Sequence, residues 1–472
     1  MPLRSPVVAF AICIQLAASG AAQTPPALAP CALPGVGGIT LCGRLAVPEH
    51  RENRGGKQVE LNVVVLKAAD SGAATDPLVF LAGGGVLPAT RFAPMLARAM
   101  ADVRRSRDIL LVDQRGTGGS NPLHCSLDPS ALRDKAPDTV AIRQRVAQCI
   151  EKLKAHAALG AYTTTRAMHD LEHVRSALGY GPLNLWGLSY GTKAAREYMR
   201  LYPAHVRSVV LYGVVPRASA WWHEQGINAD TILAEYSRLC AAQESCRRAF
   251  PNPRAAIEEL IVRLERQPVR VGDSATVTAT DVRRVIYNRM GESWSAVTIP
   301  LIVKLALEGD FSAFVSPLQP EPPPIPRGVF YNLTCSEEFP RISDAMIVSA
   351  GQGTVVGFSS VLQHRAVCRH WPVAPIDSGL WQEVRSTVPA LIMSGALDHI
   401  TPPRYARPVA AAMPNNRLLV VSSRGHNDFD PCVAQIVRQF VLHPDPAGVD
   451  TSCLLQTPSL RFPTSATELS NR

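Results

Sequence analysis

Short apolar runs that end in glycine or a polar residue alternate with amphipathic stretches along much of the chain. Four runs are strand-like: DPLVFLAGGG from Asp76, DILLVDQRGTGGS from Asp108, LNLWGLS ending at Ser189, and VRSVVLYGVVP from Val206. Helical patterns lie between them, including a long amphipathic region from Thr139 to Leu178. Strands that alternate with helices predict an α/β protein with a mostly parallel, doubly wound sheet.

Two alternating segments precede this region. ITLCGRLAVPEH starts at Ile39 and QVELNVVVLKA starts at Gln58, and both alternate apolar with polar positions. Such a pair predicts an antiparallel hairpin at one edge of the sheet.

The regular order is lost late in the chain and then returns. Residues 217–387 hold helical pieces, few clear strands and the Pro-rich tract SPLQPEPPPIPRG, which can equally be a surface loop without a role. VPALIMSGALD, RLLVVSS and a last helix from Asp430 to about Leu442 resume the parallel pattern. An insertion late in a parallel sheet predicts a lid over the carboxyl ends of the strands, where ligands bind. We therefore expect a core of residues 23–216 and 388–472 around a largely helical lid of residues 217–387.

The N-terminus has the layout of a secretory signal peptide. Arg4 precedes an apolar run of about a dozen residues, and small residues follow up to Ala22. We expect residues 1–22 to be removed and the protein to be secreted or periplasmic; a lipid anchor at Cys13 is the alternative, but the residues before it fit a lipobox poorly. No other stretch approaches the ~20 apolar residues of a membrane span, so no integral membrane segment is expected after cleavage.

Export changes the interpretation of the cysteines. Of the 11 cysteines, ten remain once Cys13 is removed, an even number in a compartment where disulfides persist. Short loop closures favour pairing between sequence neighbours: Cys31 with Cys42, Cys125 with Cys149, Cys240 with Cys246, Cys335 with Cys368, and Cys432 with Cys453. A metal site is the alternative, but no Cys-x-x-Cys or His-x-x-x-His pair occurs.

The charge pattern argues against one class of partner. The formal net charge is +9, or +8 without Arg4, and the basic residues are spread along the chain. No dense Lys/Arg block is interleaved with aromatic residues, so we expect no nucleic-acid partner.

Three polar residues follow three predicted strands in a meaningful order. Ser189 follows LNLW, Asp398 follows ALIMSGAL and His426 follows LLVVSSRG. A serine becomes a strong nucleophile when a histidine removes its proton and a carboxylate orients that histidine. In α/β-hydrolases these groups occur in the order serine, acid, histidine. Each residue alone has an ordinary explanation in a turn or helix cap, but together they predict a catalytic triad and an α/β-hydrolase fold.

Acyl transfer also needs hydrogen-bond donors for the oxyanion that develops on the substrate. The backbone N–H after the nucleophile, here that of Tyr190, is one usual donor, and the loop after an early strand supplies another. Within LAGGGVLP, Gly84 is the first candidate and Gly85 the second, because glycine lets the backbone approach a substrate closely. A flexible turn without a function is the alternative.

Four motifs together resemble one family. DQRGTGGS from Asp113, WGLSYGT around Ser189, SGALDHITP around Asp398 and RGHNDF around His426 are similar to the prolyl iminopeptidase group of α/β-hydrolases. The secreted branch of tripeptidyl-aminopeptidase-like proteins is the most similar, and the tail from Cys432 resembles its C-terminal segment. The resemblance covers nearly the whole mature chain. It implies a serine exopeptidase that releases residues or short peptides from free N-termini.

The resemblance also assigns roles and shows one departure. Aminopeptidases of this group hold the substrate ammonium with lid carboxylates, and TCSEEFP offers Glu337 and Glu338; two solvated glutamates are the alternative. Arg115 we interpret as structural, bridging loops, with a direct substrate role as the alternative. The usual His-Gly-Gly-Pro or Pro-Gly-Gly-Pro loop is replaced by Ala-Gly-Gly-Gly, starting at Ala82, which affects substrate geometry more than catalysis.

The sequence thus predicts a secreted serine hydrolase with an acyl-enzyme mechanism and no metal or organic cofactor. Its substrate is a peptide, which makes it an aminopeptidase, or a small ester, which makes it a carboxylesterase. A non-catalytic binding protein on a hydrolase scaffold is a third hypothesis, and the intact triad argues against it.

Overall fold

A computed structural model describes residues 28–53, 55–125, 127, 139–273, 275–315, 325–456 and 459–470. The predicted signal peptide and Cys13 lie outside the described residues, as does most of the Pro-rich tract.

The strands are the following: β1 Ala29–Pro30, β2 Thr40–Pro48, β3 Gln58–Leu66, β4 Ala74–Leu81, β5 Arg107–Val112, β6 Leu183–Leu188, β7 Val206–Tyr212, β8 Val269–Val271, β9 Ala275–Val277, β10 Ala390–Gly395 and β11 Asn416–Val421. Nine of the described strands form one sheet in the order β1-β2-β3-β5-β4-β6-β7-β10-β11, while β8 and β9 form a separate hairpin. Pairing is antiparallel from β1 to β5 and parallel from β5 to β11. The predicted edge hairpin and the mostly parallel sheet are both confirmed.

The helices are the following: α1 Ala93–Ala99, α2 Ala101–Ser106, α3 Thr139–Lys154, α4 Thr164–Ala177, α5 Tyr190–Leu201, α6 Gln225–Ala241, α7 Glu244–Ala249, α8 Pro253–Arg266, α9 Ala279–Arg289, α10 Ser293–Ala296, α11 Ile299–Leu307, α12 Ser312–Val315, α13 Arg327–Leu333, α14 Asp344–Gly351, α15 Ser359–Cys368, α16 Pro403–Ala412, α17 Pro431–Leu442 and α18 Ala466–Ser470. Asp430 caps α17, because its side chain accepts a hydrogen bond from the Val433 N–H.

Both faces of the sheet are covered. Successive side chains of a strand point to opposite faces, so Leu185 of β6 packs with α4 and α5 while its neighbour Trp186 packs with α1, α2 and α17. Strands buried on both faces explain why the parallel segments are almost continuously apolar.

The segment between β7 and β10 packs as two parts. Residues of α6 to α12, such as Ile232 and Ile302, make up most of a second apolar cluster, which Val355, Leu397 and Phe462 join from other segments. From α13 onward, residues such as Tyr331 and Phe339 belong to the same cluster as α4 and α5 of the sheet. Only the first part therefore resembles a separately packed lid, and the limits 217–387 stay a prediction.

Five disulfides join described cysteines. The described cysteines bond in consecutive pairs along the chain: Cys31–Cys42, Cys125–Cys149, Cys240–Cys246, Cys335–Cys368 and Cys432–Cys453. All five predicted pairings are confirmed, and such bonds fit an oxidising, extracellular compartment. In the part of the chain that is described, no helix is long and apolar enough to cross a membrane.

Candidate active site

Ser189 occupies a strained turn between β6 and α5. Its φ is 54° and its ψ is −120°, a region that residues with a side chain rarely adopt. The Ser189 N–H donates to the carbonyl of Tyr212 at 2.9 Å, which holds the turn against β7. The serine is thereby presented at the carboxyl end of β6.

The two glycines around Ser189 are required by close contacts. A Cβ on Gly187 would lie 2.3 Å from the carbonyl oxygen of Gly191, and one on Gly191 would lie 1.9 Å from the carbonyl oxygen of Leu81. Neither separation is possible for a side chain, so the Gly-x-Ser-x-Gly pattern here is a steric requirement of a sharp strand-to-helix turn.

The structure brings Ser189, His426 and Asp398 together. Ser189 Oγ lies 2.9 Å from His426 Nε2, and His426 Nδ1 lies 2.8 Å from Asp398 Oδ2. The three residues follow β6, β11 and β10, whose carboxyl ends meet at one edge of the sheet. Asp398 is fully buried and His426 is buried as well.

Asp398 is held as an anion by neighbouring donors. The N–H groups of Ile400 and Thr401 each donate to Asp398 Oδ1 at 2.8 Å, and the Thr401 hydroxyl donates to Oδ2 at 2.7 Å. Burial alone would raise the pKa of Asp398, but His426 and the Thr401 donors outweigh it and lower this pKa to about 2. A permanently charged carboxylate suits a group that orients a histidine.

The glycine loop after β4 lies against the serine. A Cβ on Gly83 would be 3.2 Å from Ser189 Cβ, and Gly84, with a φ of 71°, lines the same cavity as Tyr190. Gly85 faces the side chain of Leu333 instead, where a Cβ would be 2.9 Å from its Cδ1. Of the two candidates, Gly84 lines the cavity, and an oxyanion role for either glycine stays a prediction.

The DQRGTGGS segment supports this loop. Asp113 Oδ1 accepts from the Thr90 N–H at 3.0 Å, and Asp113 Oδ2 accepts from Asn62 Nδ2 at 2.9 Å. Arg115 is buried and forms a two-pronged ion pair with Asp170, at 2.6 and 2.7 Å. Its guanidinium also donates to three backbone carbonyls, so the structure places it as a bridge between loops.

A cavity of about 990 Å³ surrounds Ser189 and His426. Aromatic side chains make up much of its wall, and both Glu337 and Glu338 reach it. Its size suits several residues of a peptide. Among the described residues, no group of three or more His, Cys, Asp or Glu side chains suits a metal ion.

Glu337 and Glu338, the acidic pair, share one buried lysine. Lys193 Nζ lies 2.8 Å from Glu337 Oε2 and 2.5 Å from Glu338 Oε1. Glu337 also accepts from the N–H and the hydroxyl of Thr164, both at 2.7 Å. The pair is thus not two solvated glutamates, and the single Lys193 ammonium can balance the charge of only one carboxylate.

Lys193 is a site residue that sequence reasoning missed. It lies one helical turn after Ser189 on α5, and its side chain is only 3% exposed. Burial opposes its charge, but the acidic pair prevails and raises the pKa of Lys193. Burial also raises the pKa of Glu338, and Lys193 offsets this in part. The sequence signal that could have identified Lys193 is a charged residue one helical turn after the nucleophilic serine.

Comparisons with known proteins relate the chain to α/β-hydrolases. The family described as "alpha/beta hydrolase fold" matches residues 77–285, and the family described as "TAP-like protein" matches residues 354–453. A tripeptidyl aminopeptidase of Streptomyces lividans is 30% identical over 211 residues, and a proline iminopeptidase of Neisseria gonorrhoeae is 24% identical over 373 residues. The chain is an α/β-hydrolase, and its matches support the prolyl iminopeptidase and tripeptidyl-aminopeptidase family. The predicted family and fold are confirmed.

The extent of these similarities differs. The match to the Streptomyces enzyme covers 41% of this α/β-hydrolase and 38% of the relative, while the Neisseria match covers 77% and 87%. The match to a hydrolase of Escherichia coli spans about half the length of that relative, at 24% identity. Among solved structures, a proline iminopeptidase of Mycobacterium smegmatis is similar over 86% of the chain and 99% of its own, with a TM-score of 0.39 and 16% identity.

Proposed function

We propose that this hydrolase is a secreted serine aminopeptidase that releases N-terminal residues or short peptides through an acyl-enzyme intermediate. The observation that carries the proposal is that one cavity is lined by Ser189 and His426, which are hydrogen-bonded in a chain to Asp398, and by two buried carboxyl groups that share a single lysine. The first feature supports acyl transfer and the second supports recognition of a cation.

In the proposed first step, Ser189 Oγ attacks the carbonyl carbon of the scissile amide. His426 Nε2 takes the hydroxyl proton, and Asp398 holds the ring and stabilises its charged form. The N–H groups of Tyr190 and Gly84 donate to the oxyanion. His426 then gives its proton to the departing amine, and water attacks the acyl-enzyme by the same route.

Within the acidic pair, we assign the substrate ammonium to Glu338. Both oxygens of Glu337 already accept hydrogen bonds from Thr164 or Lys193. Glu338 has a side chain that is 14% exposed, against 1% for Glu337. An ammonium beside Glu338 would be attracted strongly because the cavity shields it from water. Lys193 then acts as a positioning residue that favours the ionised form of Glu338, whereas the neighbouring carboxylate of Glu337 opposes it and raises the pKa of Glu338.

The test compares initial rates on matched substrates. The purified mature protein is given free-amine and N-acetylated residue and tripeptide arylamides, beside short p-nitrophenyl esters, with Ser189→Ala as the blank. We expect Ser189-dependent turnover of free-amine amides that collapses on acetylation. Ester turnover alone would favour the carboxylesterase alternative, and no Ser189-dependent turnover would overturn the assignment of Ser189.

Two variants separate the roles within the acidic pair. Glu338→Gln should lower kcat/KM for free-amine amides about 10- to 100-fold, the size of a lost hydrogen bond to a charged group, and spare the esters. Glu337→Gln is the matched control, and it should act more weakly on the amine while lowering thermal stability. Equal effects on amides and esters in Glu338→Gln would contradict the assignment.

A further inference from the structure

Four aromatic rings form a continuous row on the side of the cavity next to His426. Phe429 lies in the same loop as His426, and its ring centroid is 5.2 Å from that of Trp186. Trp186 lies 5.1 Å from Phe80, which lies 5.1 Å from Phe92. All four residues, here called the aromatic row, border the cavity; Phe92 and Phe429 are partly exposed to it, and Phe80 and Trp186 are buried behind them.

The aromatic row and the acidic pair lie on opposite faces of the sheet. Trp186 packs in the cluster beneath α1, α2 and α17. Its strand neighbour Leu185 packs in the other cluster, together with Leu333, which is one turn before Glu337. Ser189 follows the same strand, so it stands between the two ends of the cavity.

A peptide bound across Ser189 has its acyl part on one side of the scissile carbon and its leaving amine on the other. With the ammonium at the acidic pair, as the proposed function requires, the leaving residue points to the opposite end. His426 must also deliver its proton to the leaving nitrogen, and the aromatic row begins three residues after His426.

We infer that the aromatic row is the subsite for the residue that follows the scissile bond and that it selects a large apolar or aromatic side chain there. This inference rests on the proposed function and extends it to the leaving side of the substrate. A phenylalanine side chain removed from water there should raise kcat/KM about 10- to 100-fold over alanine. An aspartate should be disfavoured, because its carboxylate would lose hydration among aromatic rings.

The first experiment uses peptides with one common N-terminal part, chosen from the free-amine substrates that the enzyme turns over. The residue after the scissile bond is phenylalanine, leucine, alanine or aspartate, and kcat/KM is measured for each. Phe92→Ala should reduce the ratio of phenylalanine to alanine at least about threefold. Phe330→Ala, a cavity-lining control on the side of the acidic pair, should leave that ratio as it is.

A second experiment uses only the unsubstituted enzyme, so misfolding of a variant cannot affect its result. The acyl-enzyme is offered phenylalanine amide or alanine amide at equal concentrations in competition with water. The amine nitrogen attacks the acyl carbon, a C–N bond forms, the C–O bond to Ser189 breaks, and the amine proton passes through His426 to Ser189 Oγ. We expect about tenfold more transfer to phenylalanine amide.

The outcomes distinguish the inference from the function on which it rests. Turnover of free-amine peptides with equal rates for phenylalanine and alanine after the scissile bond would overturn the subsite and leave the aminopeptidase intact. A change of preference for the acyl residue in Phe92→Ala would also overturn it, because the row would then bind the acyl side. Absence of free-amine turnover would overturn the proposed function itself.

Discussion

The backbone of Gly191 packs directly against the main-chain carbonyl of Leu81, at the point where β4 ends beside the elbow of Ser189. A Cβ at this position would lie 1.9 Å from that carbonyl oxygen. The contact links the nucleophile turn to the strand that carries the glycine loop, so the position of Ser189 relative to Gly83 and Gly84 depends on it.

Gly191→Ala is therefore expected to abolish activity and to lower the midpoint of thermal unfolding, since backbone must shift to admit the methyl group. Gly160→Ala is the matched control, because nothing lies within 4 Å of the position of its Cβ. Residual rates and melting curves of the two variants check this. A Gly191→Ala protein with normal kcat/KM would contradict the steric account of the motif.

Thr401→Val should lower kcat/KM about tenfold. The Thr401 hydroxyl donates to Asp398 Oδ2 at 2.7 Å and also lies 3.0 Å from His426 Nδ1, so its loss leaves a buried carboxylate short of a donor. Thr401→Ser should restore most of the rate, because it keeps the hydroxyl. Measuring kcat/KM of both variants on one substrate tests this prediction. If Thr401→Ser is as slow as Thr401→Val, the effect is due to packing rather than to the hydroxyl.

Asp398 gives a pH dependence of stability. Its pKa is about 2 in the folded protein, below the ordinary 3.8. A lowered carboxyl pKa stabilises the fold above pH 4, and this contribution, about 2 kcal/mol, disappears as the pH falls towards 2. Denaturant unfolding between pH 5 and about pH 2 should show a larger loss for the parent than for Asp398→Asn. Equal losses in the two proteins would rule out this role.

Arg115→Ala should lower the free energy of unfolding by about 3 kcal/mol, because the buried Asp170 loses its two-pronged partner and keeps only the partly exposed Arg51 at 3.1 Å. The free energy of unfolding of Arg115→Lys should lie between those of the parent and Arg115→Ala, since lysine keeps the charge but cannot form the two-pronged pair. Denaturant melts provide the free energies. KM measured where the variants are folded should match the parent, and a raised KM would support the direct substrate role instead.

Local pattern accounts for much of the agreement between sequence and structure. Ser189, Asp398 and His426 each follow a strand that is recognisable by its apolar run, and parallel strands bring their carboxyl ends to one edge. The cysteine pairs could be predicted because each bond closes a short loop. α5 begins at Tyr190, directly after Ser189, because the turn at the serine leads straight into the helix.

Contacts between distant segments could not be predicted in the same way. Lys193 and Glu338 are 145 residues apart, and nothing local to either indicates that they share a buried ion pair. The sequence also did not indicate that the segment between β7 and β10 packs as two parts. The sequence of α13 has no pattern that distinguishes packing against α4 and α5 from packing within a lid. The rings of the aromatic row come from four separate segments: β4, β6, the start of α1 and the loop after β11. No local sequence pattern therefore indicates that they lie side by side.

The order of the disulfides has a consequence for biogenesis. The ten described cysteines bond in consecutive pairs, and the separations run from 6 to 33 residues. If Cys13 is removed with the predicted signal peptide, a chain that meets an oxidant N-terminus first would find the correct partner for each of these ten thiols before any wrong one emerged. Maturation of this hydrolase should then proceed with oxidant alone, without an isomerase to reshuffle mispaired bonds.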